Sequence, residues 1–221
     1  MKKTHKRSKN AIVLLSGGLD SATVLYYALK RGYRCRCLLF DYGQRHKKEL
    51  SAAGKIARGA GCSVERVKIT LPWGGSSLLD KNAALPSHKN KLPAASLPST
   101  YVPGRNTIFL SFALSYAETI KADALFIGAN AVDFSGYPDC RPGYYGAWNA
   151  LLKELGVSVR IKSPLVRMTK AQIVRLGLRL GVPYEHTWSC YSGGVKPCGK
   201  CDSCMYRARG FSEAAIPDPA L

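Results

Sequence analysis

Hydrophobic and polar positions along this chain follow two alternating periods. Residues 11–15, Ala-Ile-Val-Leu-Leu, form a short unbroken apolar run and predict a buried strand. Ser16-Gly17-Gly18 interrupts it. Helix formers then fill 20–31, and Gly32 stands just past the last of them, as a helix-ending glycine does. The succession repeats with a strand over 35–40, a helix over 47–59 and a strand over 64–69. Periodicity is lost from 70 to 101, where four prolines and several serines and glycines predict a long loop or lid, with one short helical turn at Leu78-Leu79. Order returns as a helix over 106–121, a strand over 124–128, a helix over about 143–155 and a short strand at 159–161. Thr169 is placed to cap a helix over 170–180, which Gly181 and Pro183 end. From Glu185 onward the chain reads as irregular. The β-α-β-α-β order predicts an α/β fold: a doubly wound, mostly parallel five-stranded sheet with right-handed crossovers. The expected organisation is a basic disordered tail (1–10), an α/β domain (11–184) and a small C-terminal segment (185–221).

In such a sheet, ligands lie at the carboxyl ends of the strands. Three unusual loops fall there: Ser16-Gly17-Gly18, Asp41-Tyr42-Gly43 and Gly128-Ala129-Asn130. The first runs from a strand through glycines into a helix start. Glycines let backbone N–H groups approach a phosphate, and the helix end carries partial positive charge. Asp20 would repel that phosphate unless a divalent cation lay between them, so it is a candidate Mg²⁺ contact. The pattern is neither a Walker A loop nor a dinucleotide fingerprint.

Charge widens the range of partners. The 221 residues carry a formal charge of +19, and five of the first ten are Lys or Arg. A nucleic-acid partner, an anionic substrate such as ATP, and a solvated basic surface with a basic tail all accommodate this excess. The hydrophobic share of 46% is ordinary for a globular chain, and no apolar run has transmembrane length. The apolar stretch behind the basic N-terminus is broken by Gly17, Gly18 and Asp20, unlike a signal peptide, so a cytoplasmic location is expected.

Cysteines add a second centre. Of the eight, Cys35, Cys37 and Cys62 sit in or beside apolar segments and read as core. Cys190, Cys198, Cys201 and Cys204 are bunched with C-x7-C-x2-C-x2-C spacing. Four thiolates complete a tetrahedral zinc set and predict a closed structural site. An iron–sulfur ligand run and a redox C-x-x-C pair are the alternatives. With few apolar residues around the cluster, the metal is expected to supply much of this segment's folding free energy.

Ser-Gly-Gly-x-Asp-Ser at 16–21 resembles the pyrophosphate loop of the N-type ATP pyrophosphatases, which implies cleavage of ATP to AMP and pyrophosphate through an adenylated intermediate. The resemblance sharpens over Phe40-Asp41-Tyr42-Gly43-Gln44-Arg45-His46, Val102-Pro103-Gly104-Arg105-Asn106, Asp133 to Arg141, Thr187-Trp188-Ser189-Cys190-Tyr191 and the ending 210–218. Together with the four cysteines these are similar to the 7-cyano-7-deazaguanine synthases, from residue 11 to nearly the end. That family resemblance implies conversion of 7-carboxy-7-deazaguanine and ammonia to a nitrile with ATP, a structural zinc, and a homodimer. It implies ATP contacts over Leu15, Ser16, Gly17, Gly18, Leu19, Asp20, Ser21, Ala22, Thr23, Val24 and Leu25. Ser16, Gly17, Gly18 and Ser21 would meet pyrophosphate, and Asp20 would meet Mg²⁺. Arg105 and Lys170 would neutralise developing phosphate charge. Asp133 and Asp139 would accept from the base's N–H groups, or else cap turns, and Tyr137 would stack on the base. His46 is a weaker candidate for a general base, because it lies in a basic run at a helix start. Gly143 departs from the acidic residue common after Cys140-Arg141-Pro142 in that family. A tRNA thiolase of the same superfamily and a zinc-binding nucleic-acid module remain as rival readings; a thiolase would need a reactive cysteine or cluster at the active edge.

Overall fold

The computed structural model describes residues 8–80, 82–86, 97–131 and 137–220. The leading seven residues, the middle of the 70–101 loop and Asp133 lie outside the described residues. Five parallel strands form one sheet: β1 (Lys9–Leu14), β2 (Tyr33–Asp41), β3 (Ser63–Lys68), β4 (Ala124–Phe126) and β5 (Arg160–Lys162), in the order β3-β2-β1-β4-β5. The first strand starts at Lys9, two residues earlier than the apolar run, because backbone pairing of Lys9 with Tyr33 and of Asn10 with Arg34 does not depend on side-chain polarity.

Period-two alternation in β1 explains the layers. Ala11, Val13 and Leu15 join one core cluster, and Ile12 and Leu14 join the other. The first face packs against α1 (Leu19–Lys30), α2 (Lys48–Gly59), α5 (Lys170–Leu180) and α6 (Asp202–Glu213). The second packs against α3 (Arg105–Thr119) and α4 (Pro142–Glu154). Strand order reverses between β1 and β4, so a crevice opens at their carboxyl ends.

Thr169 caps α5 as expected, with a full capping box to Gln172. The Leu78-Leu79 turn is present, closed by Leu79 and Asp80 N–H groups on the Ser76 carbonyl. The C-terminal segment departs from the expectation of irregular chain, because α6 is a regular helix. It packs on α5 and buries Phe211 and Ala214 in the main core. Its apolar positions are few, and a buried ion pair completes the packing. Arg207 meets Asp218 through Nε and Nη2 at 2.6 and 2.8 Å, with both side chains almost fully buried. Helix packing and this ion pair therefore hold the segment as well.

Candidate functional site

The crevice is a cavity of about 290 Å³. The loop after β1 forms its floor. Ser16 Oγ lies 3.0 Å from Ser21 Oγ, and Ser21 Oγ donates to the Gly18 carbonyl at 3.1 Å, so the loop is folded on its own hydroxyls. The first helical bond of α1 runs from Ala22 N–H to Gly18 O. The N–H groups of Leu19, Asp20 and Ser21 therefore precede the helical ladder and can serve an anion. Gly17 adopts φ +85° because there is no room for a side chain: an added Cβ would lie 2.2 Å from the Glu49 carbonyl and 2.7 Å from the Ala53 nitrogen. Gly128 lets the loop after β4 approach equally closely, since a Cβ there would meet the Ser21 backbone at 2.9 Å.

Lys170 opens α5, an unfavourable place for a cation on electrostatic grounds alone. Its ammonium clamps both oxygens of Asp20, at 2.9 and 2.7 Å, with a side chain only 7% exposed. Arg105 opens α3 behind Gly104 (φ +65°) and reaches into the cavity, donating to Tyr42 Oη at 3.3 Å. Phe40 and Phe109 stack at 3.9 Å beside it. Tyr137 also lines the cavity, close enough for Arg105 to act on it, with its hydroxyl 2.7 Å from Thr100 Oγ1 and its ring stacked on Tyr101.

The structure thus brings Leu15, Ser16, Gly18, Leu19, Asp20, Ser21, Arg105, Lys170 and Tyr137 to one cavity. It does not bring the rest there. Gly17 packs outward on α2. Ala22, Thr23, Val24 and Leu25 are buried in the core, where Thr23 Oγ1 bonds the Leu19 carbonyl and Tyr184 Oη. Asp139 is buried behind the cavity wall, close to Arg105 and to the Asn106 backbone at the start of α3. Burial pushes its carboxyl up, against the pull of Arg105.

Glu49, Phe109, and Tyr206 with Arg207 from α6 escape sequence reasoning, while Tyr42, Trp188 and Tyr191 lie in segments it singled out without giving those side chains a role. Glu49 offered one signal, an acid in the first turn of a helix that starts at the active edge. Burial raises its carboxyl to about 7, with Arg105 opposing. His46 is turned away from the cavity lining and packs against Gly193 and Trp188, and burial lowers its pKa.

The four clustered cysteines form a separate centre. Their sulfurs all lie within 4.8 Å of one another, and Cys198 Sγ is 4.0 Å from Cys204 Sγ. Tetrahedral thiolates about 2.3 Å from one ion stand a little under 4 Å apart, so the set fits a tetrahedral metal. Backbone N–H groups of Ser192, Cys198 and Cys201 point at Cys190 and Cys198 sulfurs, as around thiolates. A hydrogen bond from Cys204 draws the Cys201 thiol down to about 5. Trp188 N–H donates to the Gly17 carbonyl at 2.9 Å, which ties this segment to the loop after β1.

Residues 10–215 match the family described as queuosine biosynthesis protein QueC. This chain belongs to that family. A 7-cyano-7-deazaguanine synthase of Thermoplasma acidophilum is 50% identical over 216 residues, covering 96% of this chain and 91% of the relative. One from Picrophilus torridus is 52% identical over 210 residues, covering 92% and 87%. Among solved structures, the U34-tRNA thiolase NcsA of Methanococcus maripaludis with its 4Fe–4S cluster has a TM-score of 0.52 at 16% identity, covering 94% of this chain and 66% of its own. NMN synthetase from Francisella tularensis has a TM-score of 0.52 at 18% identity, covering 95% and 78%. These two likenesses show the fold that the family shares. Among the described residues, no helix is long and apolar enough to cross a membrane.

Proposed function

We propose that this chain makes 7-cyano-7-deazaguanine from 7-carboxy-7-deazaguanine, ammonia and ATP. The observation that carries the reading, beside family membership, is the joining of an anion-ready loop (Ser16 to Ser21) with an aromatic-lined cavity whose lining includes the cations Arg105 and Lys170. A carboxylate is a poor electrophile. Transfer of the adenylyl group gives an acyl adenylate and pyrophosphate, and AMP is then a good leaving group. Attack by ammonia gives the amide. Adenylation of the amide oxygen and loss of AMP leave the nitrile.

The protein's work here is positioning and charge neutralisation. The loop N–H groups and the serine hydroxyls hold pyrophosphate, and Arg105 and Lys170 balance developing phosphate charge. Tyr137 offers a flat face for the deazapurine. Asp20 is the carboxylate suited to Mg²⁺, which when bound would screen the phosphates. Its clamp by Lys170 keeps that carboxylate aimed at the loop. The assignment of Asp133 to the base remains part of this reading. Asp139 supports it indirectly, as a negative charge close to Arg105. Zinc is the metal that four thiolates and a closed site favour.

The thiolase alternative needs a reactive sulfur at the active edge. None of the four clustered cysteines lines the cavity. Cys140 does, but burial pushes its thiol up to about 12, so it stays protonated at neutral pH. The purified chain, given 7-carboxy-7-deazaguanine, ATP, Mg²⁺ and ammonium, is expected to release AMP, pyrophosphate and the nitrile. Consumption of a tRNA substrate alone, with no nitrile, overturns the reading.

A further inference from the structure

One ionisable cavity group has no place in the chemistry above. Glu49 lies in the first turn of α2 and lines the cavity with Arg105, Tyr42 and Tyr191. Its backbone is fixed against the loop after β1, since its carbonyl occupies the space a Gly17 side chain would need. The carboxylate is therefore carried at a set position beside the loop that takes the nucleotide. Among the described residues no hydrogen bond or ion pair reaches it. A half-buried carboxylate without a partner is costly, and such groups are retained where a ligand or a proton completes them.

We propose that Glu49 takes the proton from an ammonium ion bound in this cavity and so delivers ammonia to the activated carbon. The inference rests on the nitrile-forming reading above. Ammonium predominates at neutral pH and has no lone pair with which to attack. A carboxylate lining the same cavity as Tyr42 and Tyr191 is a suitable seat for it, because the acid accepts its N–H bonds and aromatic side chains favour a cation. The N–H bond breaks and the proton passes to the Glu49 carboxylate. The freed electron pair on nitrogen then forms the C–N bond. AMP leaves with the electrons of the C–O bond, and the tetrahedral nitrogen sheds its surplus proton to solvent.

The surroundings suit this role. Burial holds the carboxyl up to about 7, close to working pH, where proton transfer is most effective. Arg105, from α3, is the charge that opposes this rise. Tyr42 and Tyr191 are pushed up by their own burial and stay neutral. Lys48, next in sequence, turns away to the Gly194 and Val195 carbonyls and the Trp188 ring. Lys170 is engaged with Asp20.

The test compares the wild type, Glu49→Gln and Glu49→Asp in two half-reactions. Substrate-dependent exchange of pyrophosphate into ATP reads adenylation, and amide formation is then measured with ammonium or with hydroxylamine. Hydroxylamine is a far weaker base and is already a free amine at neutral pH, so it needs no proton acceptor. Glu49→Gln is expected to keep exchange within about threefold of wild type. It should lose about 100-fold or more of the ammonium reaction and recover with hydroxylamine. Glu49→Asp should fall between. As pH falls from about 8 to 7, the wild-type ammonium rate should drop more steeply than the hydroxylamine rate. A Glu49→Gln protein that uses ammonium at the wild-type rate, is slowed equally with hydroxylamine, or loses exchange overturns the proposal. Absence of exchange in the wild type instead overturns the nitrile-forming reading, and the two failures are distinct.

Discussion

Gly210 on α6 faces Lys170 at the start of α5, and its lack of a side chain sets the geometry of the ion pair with Asp20. A Cβ built at Gly210 would lie 2.3 Å from Lys170 Cγ and 2.9 Å from its Cβ. That is about 1 Å short of ordinary contact. Lys170 cannot swing aside, because its ammonium is held by Asp20 and its side chain is buried. In Gly210→Ala either α6 lifts from α5 or Lys170 leaves Asp20. Overpacking of this kind costs about 1–3 kcal/mol. The gain in helix propensity, at most about 1 kcal/mol, does not offset it. Gly146 is the control: it lies within α4, is exposed, and has nothing within 4 Å of an added Cβ. Gly146→Ala should gain about 0.5–1 kcal/mol. Urea unfolding should show Gly210→Ala less stable by about 1–2 kcal/mol. Substrate-dependent pyrophosphate exchange should fall about tenfold or more, since 1.4 kcal/mol of misplaced charge suffices. If Gly210→Ala gains stability as Gly146→Ala does and exchanges at the wild-type rate, α6 does not set the position of Lys170.

Asp218→Ala leaves the buried Arg207 guanidinium without its counter-charge and should cost about 3–5 kcal/mol in urea unfolding; a loss below about 1 kcal/mol would show the pair to be hydrated in solution. Glu49 binds its proton more tightly in the folded chain than its ordinary value of 4.5 allows. The folded state therefore holds the extra proton, and stability falls as pH rises from about 4.5 toward 7. Glu49→Gln should accordingly melt above the wild type at pH 8, with the gap closing toward pH 5; no gap at pH 8 refutes the burial cost. Elemental analysis should give one zinc per chain, and an iron–sulfur absorption band would contradict it. Because α6 begins within the cysteine cluster and sends Tyr206 and Arg207 to the cavity, chelation should depress both the melting temperature and pyrophosphate exchange. A chelated protein that melts lower yet exchanges normally would separate the two centres.

Much of this was legible along the chain because it is encoded locally. Apolar runs and helix periods gave the order of elements, since burial on both faces of a parallel strand demands continuous hydrophobicity. Ser16 to Ser21 announced an anion loop because glycine conformations and a helix start are short-range properties. The four cysteines announced a cluster able to hold a metal, because C-x2-C steps bring successive thiols close together. The helix at 202–213 was not legible, because its stability comes from packing on α5 and from the Arg207–Asp218 pair, neither of which has a sequence period. Nor was the division within residues 15–25: the loop reaches the cavity, but a helix turns 100° per residue, and Ala22 to Leu25 follow it into the core. For the same reason the sequence does not show that Glu49 lines the cavity while Asp139 is buried outside its lining. Which carboxylate faces a cavity and which lies behind its wall depends on how separate elements dock, and only the assembled sheet with its helices decides that.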